Sequence, residues 1–237
     1  MRGTAQKRYL IVNADDFGQS YGINRGIIEA HERGIVTSAS LLVRGRAAVE
    51  AARYAREHLS LGLHVDLGEW ELREGEWMAR YEVVPIDDAS AVAREVSRQL
   101  DAFVCIAGMP PTHIDSHQHV HRREPVRSIL AETAGKLAVP LREVSPGVRY
   151  RGDFYGQTAE GLSLPGAVSV ERLLQILESL TPGVTELGCH PGEGEDFEGA
   201  YRTERAAEVK VLCDPQIRAA IGTLGIEFIS FGDLPPA

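Results

Sequence analysis

The stretch YLIVNAD, residues 9–15, indicates the fold, because it is a short apolar run that ends at polar groups, as a buried strand does. Outward from it, helical patterns alternate with further strand-like runs. The other predicted strands are residues 36–43, 61–67, the histidine stretch at 110–121, 139–144, 185–190 and 226–231. About seven strands that alternate with helices favour an α/β fold with a parallel sheet. We expect one domain that spans residues 1–237.

Composition excludes several classes of protein. The 237 residues are 43% hydrophobic and 25% charged, which is typical of a globular chain. A net charge of −9 argues against nucleic-acid binding, which requires clustered Lys and Arg. The first apolar run meets Asn13 and two aspartates within a few residues, so we expect neither a signal peptide nor a membrane span. Three cysteines without metal-ligand spacing favour a reducing cytoplasm.

The segment PPTHIDSHQHVH, residues 110–121, holds four of the eight histidines. His113, Asp115, His117, His119 and His121 all have odd numbers, so in an extended chain all five would project from one face. Imidazoles around a carboxylate indicate a metal site. There are too many candidates for one ion, so some of them must support the ligands or the structure.

Further candidates follow the predicted strands. Asp15 and Asp16 end the first strand, where one carboxylate could bind a metal and the other act as a base, although a helix cap or a turn explains them equally well. His64 lies in an apolar run with Asp66 two residues later. One carboxylate with two imidazoles leaves coordination positions open, as hydrolytic metals require. His190 could protonate a leaving group.

Two long connections, residues 68–89 and roughly 145–169, are predicted as functional loops. The second carries Tyr150, Phe154 and Tyr155, whose flat faces could contact a sugar ring or simply pack the loop. We predict that Phe154 and Tyr155, together with Arg142, contact the substrate.

The runs IVNADDFG, GIVTSASLLV, GLHVDL, PTHIDSHQHVH and GCHPGE together resemble the YdjC-like carbohydrate deacetylase family, which includes chitooligosaccharide deacetylases. The resemblance covers most of the chain in the same order. It implies a distorted (β/α) barrel related to NodB-type polysaccharide deacetylases. Where the family often has three successive histidines, this chain has His117, Gln118 and His119, and we expect Gln118 to face away from His117.

The same resemblance implies an activity and a site. The expected reaction is removal of an N-acetyl group from an amino sugar or oligosaccharide by water that a divalent metal, Mg²⁺ or Zn²⁺, activates. Asp16, His64 and His117 are the implied ligands, Asp15 the base and His190 the acid. The remaining set, predicted to orient the ligands, is His113, Asp115, His119 and Asp66.

Three alternatives remain open from the sequence. A metal-dependent phosphoesterase would use basic residues near the site, and Arg122, Arg123 and Arg142 are available. An amidohydrolase would place a His-x-His pair on the first strand, where this chain has two aspartates. A sugar-binding relative without catalysis is the third. A homodimer is a further expectation.

Overall fold

A computed structural model describes residues 7–73, 75–158, 160–164, 166–194, 196 and 201–235. Strands and helices alternate through most of it. The strands are β1 (Arg8–Phe17), β2 (Ser38–Leu41), β3 (Ser60–Val65), β4 (Gly68–Arg73), β5 (Glu76–Glu82), β6 (Ile114–Ser116), β7 (Val148–Arg151), β8 (Gly183–Cys189) and β9 (Ile226–Phe228).

Seven of these strands form one parallel sheet that curls into a half-barrel, and β1 lies near its middle. The strand order is β6-β3-β2-β1-β8-β7, and β9 pairs with the first residues of β1. Asn13 of β1 is in register with Ser38 on one side and Gly188 on the other. Because both faces of β1 are covered, its residues from Leu10 onward are buried. The predicted α/β class and parallel sheet are confirmed.

Helices pack on the outside of the sheet and begin and end at recognisable caps. Ser20 and Ser169 accept backbone N–H groups at two helix starts, and Gly108 and Gly225 take the left-handed conformation at two helix ends. The helices are α1 (Tyr21–Glu32), α2 (Ala48–His58), α3 (Ala89–Ala107), α4 (Val126–Leu137), α5 (Val170–Glu178), α6 (Arg202–Leu212) and α7 (Pro215–Leu224). Across the described ranges, none of them has both the length and the apolar character needed to span a membrane.

Two predicted strands differ in the structure. The prediction of a strand over residues 139–144 is wrong, because there only Leu141 bridges to β6, and the seventh strand of the sheet is β7 instead. The histidine stretch is extended only over β6. A 3-10 segment, His117–Arg122, follows it, in which Gln118 and His119 have positive φ angles of 49° and 53°.

The prediction that five side chains project in one extended row is therefore also wrong beyond β6. The tight 3-10 turn after Ser116 sends the later histidines in different directions.

The two long connections are more ordered than loops. Residues 68–89 contain an antiparallel hairpin of β4 and β5, whose β5 side chains are exposed. Residues 145–169 contain β7, and positions 159 and 165 of this connection lie outside the described residues.

Candidate active site

The carboxyl end of β1 brings two adjacent carboxylates to one cavity. Asp15 and Asp16 would face opposite ways on a regular strand, but Asp16 has a φ of 66° and the register with β2 shifts between Ala14 and Phe17. Such a bulge redirects a side chain and often lies beside a functional site. Both carboxylates are almost completely buried, so they require cations or hydrogen bonds around them.

Asp16, His64 and His117 come together around one point. Asp16 Oδ1 lies 3.4 Å from His64 Nε2 and 3.1 Å from His117 Nδ1. Each residue offers a ligand atom, and the three atoms lie within 4.8 Å of one another. This is the trio implied as metal ligands, although it derives from three separate strand ends.

The surroundings of this trio fit a metal ion. The His64 ring donates from Nδ1 to Asp115 Oδ1 at 2.7 Å, which leaves Nε2 free to bind a cation. His64 and Asp115 are directly paired in the register of β3 and β6. The Nε2 atom of His117 is buried without a hydrogen-bond partner, and Glu69 Oε2 lies 3.9 Å from it. One carboxylate and two imidazoles suit zinc or a related transition ion better than magnesium.

Protonation of the two imidazoles is strongly affected by these neighbours. Burial alone would lower the pKa of His117, but the neighbouring carboxylates of Asp16 and Glu69 raise it to about 9. For His64, Asp115 outweighs burial and raises the pKa well above its usual value. Burial would raise the pKa of Asp16, but Arg205 and the imidazoles hold it well below its usual range. The pocket therefore attracts positive charge, which a metal would supply in place of protons.

Arg142 holds Asp15 in place. Its Nη1 and Nη2 atoms donate to the two oxygens of Asp15, each at 2.7 Å, and it also pairs with Asp115 and Glu186 at 2.7 Å. Burial would raise the pKa of Asp15, but Arg142 lowers it, so the carboxylate is ionised. The prediction that Arg142 contacts substrate is wrong, because its side chain is 1% exposed and surrounded by carboxylates.

His190 also lies beside Asp15. Its Nε2 is 3.7 Å from Asp15 Oδ2, and its Nδ1 is buried without a partner. Burial lowers the pKa of His190 to about 4, so the ring is neutral at neutral pH. The rings of Tyr155 and Tyr201 stack on each other at 4.3 Å and meet His190 edge-on. Tyr155 is half-buried beside the candidate acid, where it could contact a substrate.

Other predicted residues have different surroundings. Phe154 is fully buried in the hydrophobic core, so its predicted contact with substrate is wrong. Asp66 accepts hydrogen bonds from Tyr81 and Gly68 and pairs with Arg44, so it anchors the hairpin instead of orienting a ligand.

The histidines around the trio also divide by role. His113 contacts Ser40, which donates to Asp115, and therefore supports His64 only indirectly. His119 packs against His121 and Tyr150, and its predicted support of the ligands stays a prediction. Gln118 faces the hairpin, where its side chain pairs with the backbone of Trp70.

Sequence reasoning missed Arg205, Glu186, Glu208 and Glu69. Arg205 of α6 donates to Asp16 Oδ2, and Glu208 accepts from the backbone N–H of His190. Glu186 offered a signal, since a carboxylate interrupts the apolar run of β8. The α6 residues offered none, because charged positions on a surface helix are common.

Comparison with known proteins is consistent with this arrangement. A carbohydrate deacetylase of Geobacillus stearothermophilus is 34% identical over 94% of this chain and 97% of its own. A chitooligosaccharide deacetylase of Serratia marcescens is 32% identical over 96% of this chain and 100% of its own.

Solved structures share the fold. A proposed cellobiose-phosphate cleavage protein of Enterococcus faecalis superposes with a TM-score of 0.78 and 27% identity, covering 95% of this chain and 98% of its own. A peptidoglycan N-acetylglucosamine deacetylase superposes with a TM-score of 0.58 and 14% identity, covering 96% of this chain and 88% of its own. The half-barrel is thus that of the polysaccharide deacetylases. The model of the family described as YdjC-like protein matches residues 9–222, so the chain belongs to the YdjC-like family.

Proposed function

We propose that this protein is a metal-dependent carbohydrate deacetylase that removes the N-acetyl group from an amino sugar or oligosaccharide. The observation that carries the proposal is the convergence of Asp16, His64 and His117 beside Asp15 and His190 at one edge of the sheet. Relatives named as carbohydrate and chitooligosaccharide deacetylases, similar over nearly the whole chain, support the same reaction.

Asp16, His64 and His117 would hold the ion, and the donor set favours Zn²⁺ over Mg²⁺. A divalent ion there would supply positive charge that lowers the pKa of water and stabilises negative charge on the acetyl oxygen. Asp15, ionised and fixed by Arg142, accepts a proton from the attacking water. His190 then donates a proton to the departing amine.

The two proton-transfer groups are arranged for a relay. His190 begins neutral, because burial lowers its pKa to about 4, so it must gain a proton during the reaction before it can donate one. Asp15 Oδ2 lies 3.7 Å from His190 Nε2, a short movement from hydrogen-bond distance. The proton that Asp15 removes from water can therefore pass to His190 and then to the leaving nitrogen.

The structure weakens the phosphoesterase alternative. Arg142, the one of the three candidate arginines that lies beside Asp15, is committed to three carboxylates and is therefore not available to bind phosphate.

Acetate release from a panel of N-acetylated mono- and oligosaccharides, with and without a chelator, tests the proposal. We expect chelator-sensitive release, which Asp15→Asn abolishes while bound metal remains, because the amide cannot accept the proton. Asp101→Asn, at an exposed position of α3, is the matched control. Phosphate release from sugar phosphates without acetate release would favour the phosphoesterase, and binding without any release would favour a silent relative.

A further inference from the structure

A second group of metal-ligand side chains lies outside the proposed active site. His119, His121 and Glu143 each offer a ligand atom, and these atoms lie within 4.8 Å of one another. None of the three belongs to the trio of Asp16, His64 and His117. The group joins the 3-10 segment after β6 to the segment that follows the Leu141 bridge.

Among the described residues one nitrogen of the two imidazoles, His119 Nδ1, lacks a partner, while His119 Nε2 contacts the Tyr150 hydroxyl at 3.5 Å. His121 is fully buried, and its Nδ1 contacts Ser116 Oγ at 2.7 Å, which leaves Nε2 directed at Glu143 Oε2, 3.4 Å away. His119 Nδ1 is buried without a hydrogen-bond partner, and the two rings lie 5.5 Å apart. A buried polar atom without a partner is costly, and a bound cation would satisfy it.

Two of these three residues adopt an unfavourable backbone conformation that brings their side chains together. His119 has a φ of 53° and Glu143 a φ of 60°, in the left-handed region that side chains other than glycine rarely adopt. Such conformations persist where the surrounding structure requires them, often at ligand sites. Here they place both side chains beside His121.

We propose that His119, His121 and Glu143 form a second site for a divalent transition ion of the zinc class. Two imidazoles and one carboxylate are a usual zinc donor set, whereas magnesium prefers oxygen ligands. Because the sites share the His117–Arg122 segment, and Glu143 follows Arg142, an ion there would also brace the chain on both sides of the catalytic pocket.

Arg122 would compete with a bound ion for the carboxylate of Glu143. Its Nε and Nη2 donate to the two oxygens of Glu143 at 2.6 and 3.0 Å. The Arg122 side chain is 51% exposed, so it can turn to solvent when an ion binds. Removal of this competitor should therefore tighten ion binding at this site, which a purely structural ion pair would not predict.

Zinc binding to the metal-free full chain, measured by equilibrium dialysis and elemental analysis, tests the proposal. His64→Asn removes Nε2 from the proposed catalytic site and keeps a donor near Asp115. We expect this variant to retain one zinc ion. Adding Glu143→Gln should weaken that zinc at least about tenfold. Adding Arg122→Gln should tighten it, and adding Glu132→Gln, an exposed carboxylate on α4, should leave it unchanged.

Circular dichroism checks that each variant is folded; Glu143 is on the surface, so its substitution leaves the core intact. If His64→Asn binds no zinc, or if its zinc is insensitive to Glu143→Gln, there is no second site. Both results leave the deacetylase proposal standing, since it depends on the first site alone.

Discussion

Arg142 shows how one side chain organises the catalytic residues. It is buried, and it is surrounded by Asp15, Asp115 and Glu186. Burial raises the pKa of Glu186 to about 7, which reduces the excess of negative charge around one guanidinium. The two parallel hydrogen bonds to Asp15 fix the orientation of its carboxylate, which a single ammonium group cannot do.

Replacing Arg142 with Lys should therefore impair catalysis more than stability. We expect kcat to fall on the order of 100-fold, because a carboxylate displaced by about 1 Å no longer meets the water correctly. Bound metal should be unchanged. Steady-state kinetics with elemental analysis measure both. Arg149→Lys on β7 is the control, since Arg149 contacts only backbone carbonyls of the described residues. An Arg142→Lys enzyme with normal kcat would refute this positioning role.

The hairpin of β4 and β5 contacts the segment that holds His117. It carries Glu69 towards His117, and the side chain of Gln118 pairs with both the N–H and the C=O of Trp70, at 2.9 and 2.8 Å. Gln118 therefore acts as a neighbouring strand would, and it closes the hairpin onto the segment that holds His117. Tyr81 fixes the base of the hairpin through Asp66.

Gln118→Ala should loosen this hairpin. Losing two hydrogen bonds of about 1 kcal/mol each should speed amide exchange at Trp70 by about thirtyfold. Hydrogen exchange followed by mass spectrometry measures this, and KM for the acetylated substrate should rise. Thr223→Ala on α7 serves as the control, because the Thr223 hydroxyl donates to Ala219 O in its own helix. Unchanged exchange at Trp70 would show that other contacts hold the hairpin.

The molecule as a whole buries several imidazoles in neutral form. Burial lowers the pKa of His113 and of His119 to about 3, and that of His190 to about 4. His117 behaves in the opposite way, with a pKa of about 9. Below pH 6.5 the three neutral histidines bind fewer protons in the folded chain than in the unfolded chain. The folded protein therefore loses stability as the pH falls from about 6.5 towards 3. The contribution of His117 is complete below 6.5 and is lost as the pH rises through about 9.

His113→Gln should flatten the acid side of this profile. One proton fewer in the folded state corresponds to about 1.4 kcal/mol per pH unit of the free energy of unfolding. We expect the variant to lose less stability per pH unit than the wild type between about pH 6 and 4. Urea unfolding at several pH values measures this slope, and His58→Gln, a half-exposed residue, is the control. Equal slopes would contradict the neutral, buried state of His113.

The sequence by itself determined the α/β class and the alternation of most strands with helices, because burial and periodicity are local properties of a chain. That alternation places Asp15, Asp16, His64 and His190 at carboxyl ends of parallel strands, where sites form. The strand at residues 139–144 was wrong because an apolar run there makes only one bridge, at Leu141. The more polar residues of β7 complete the sheet instead.

Only the tertiary structure decided which histidines face the carboxylates. The positive φ angles of Gln118 and His119 turn the chain after Ser116, so His117 meets Asp16 while His119 and His121 face Glu143. Arg142 and Arg205 reach the aspartates from segments more than a hundred residues away in sequence. Contacts of that kind depend on the curl of the sheet, and no local pattern of residues encodes it.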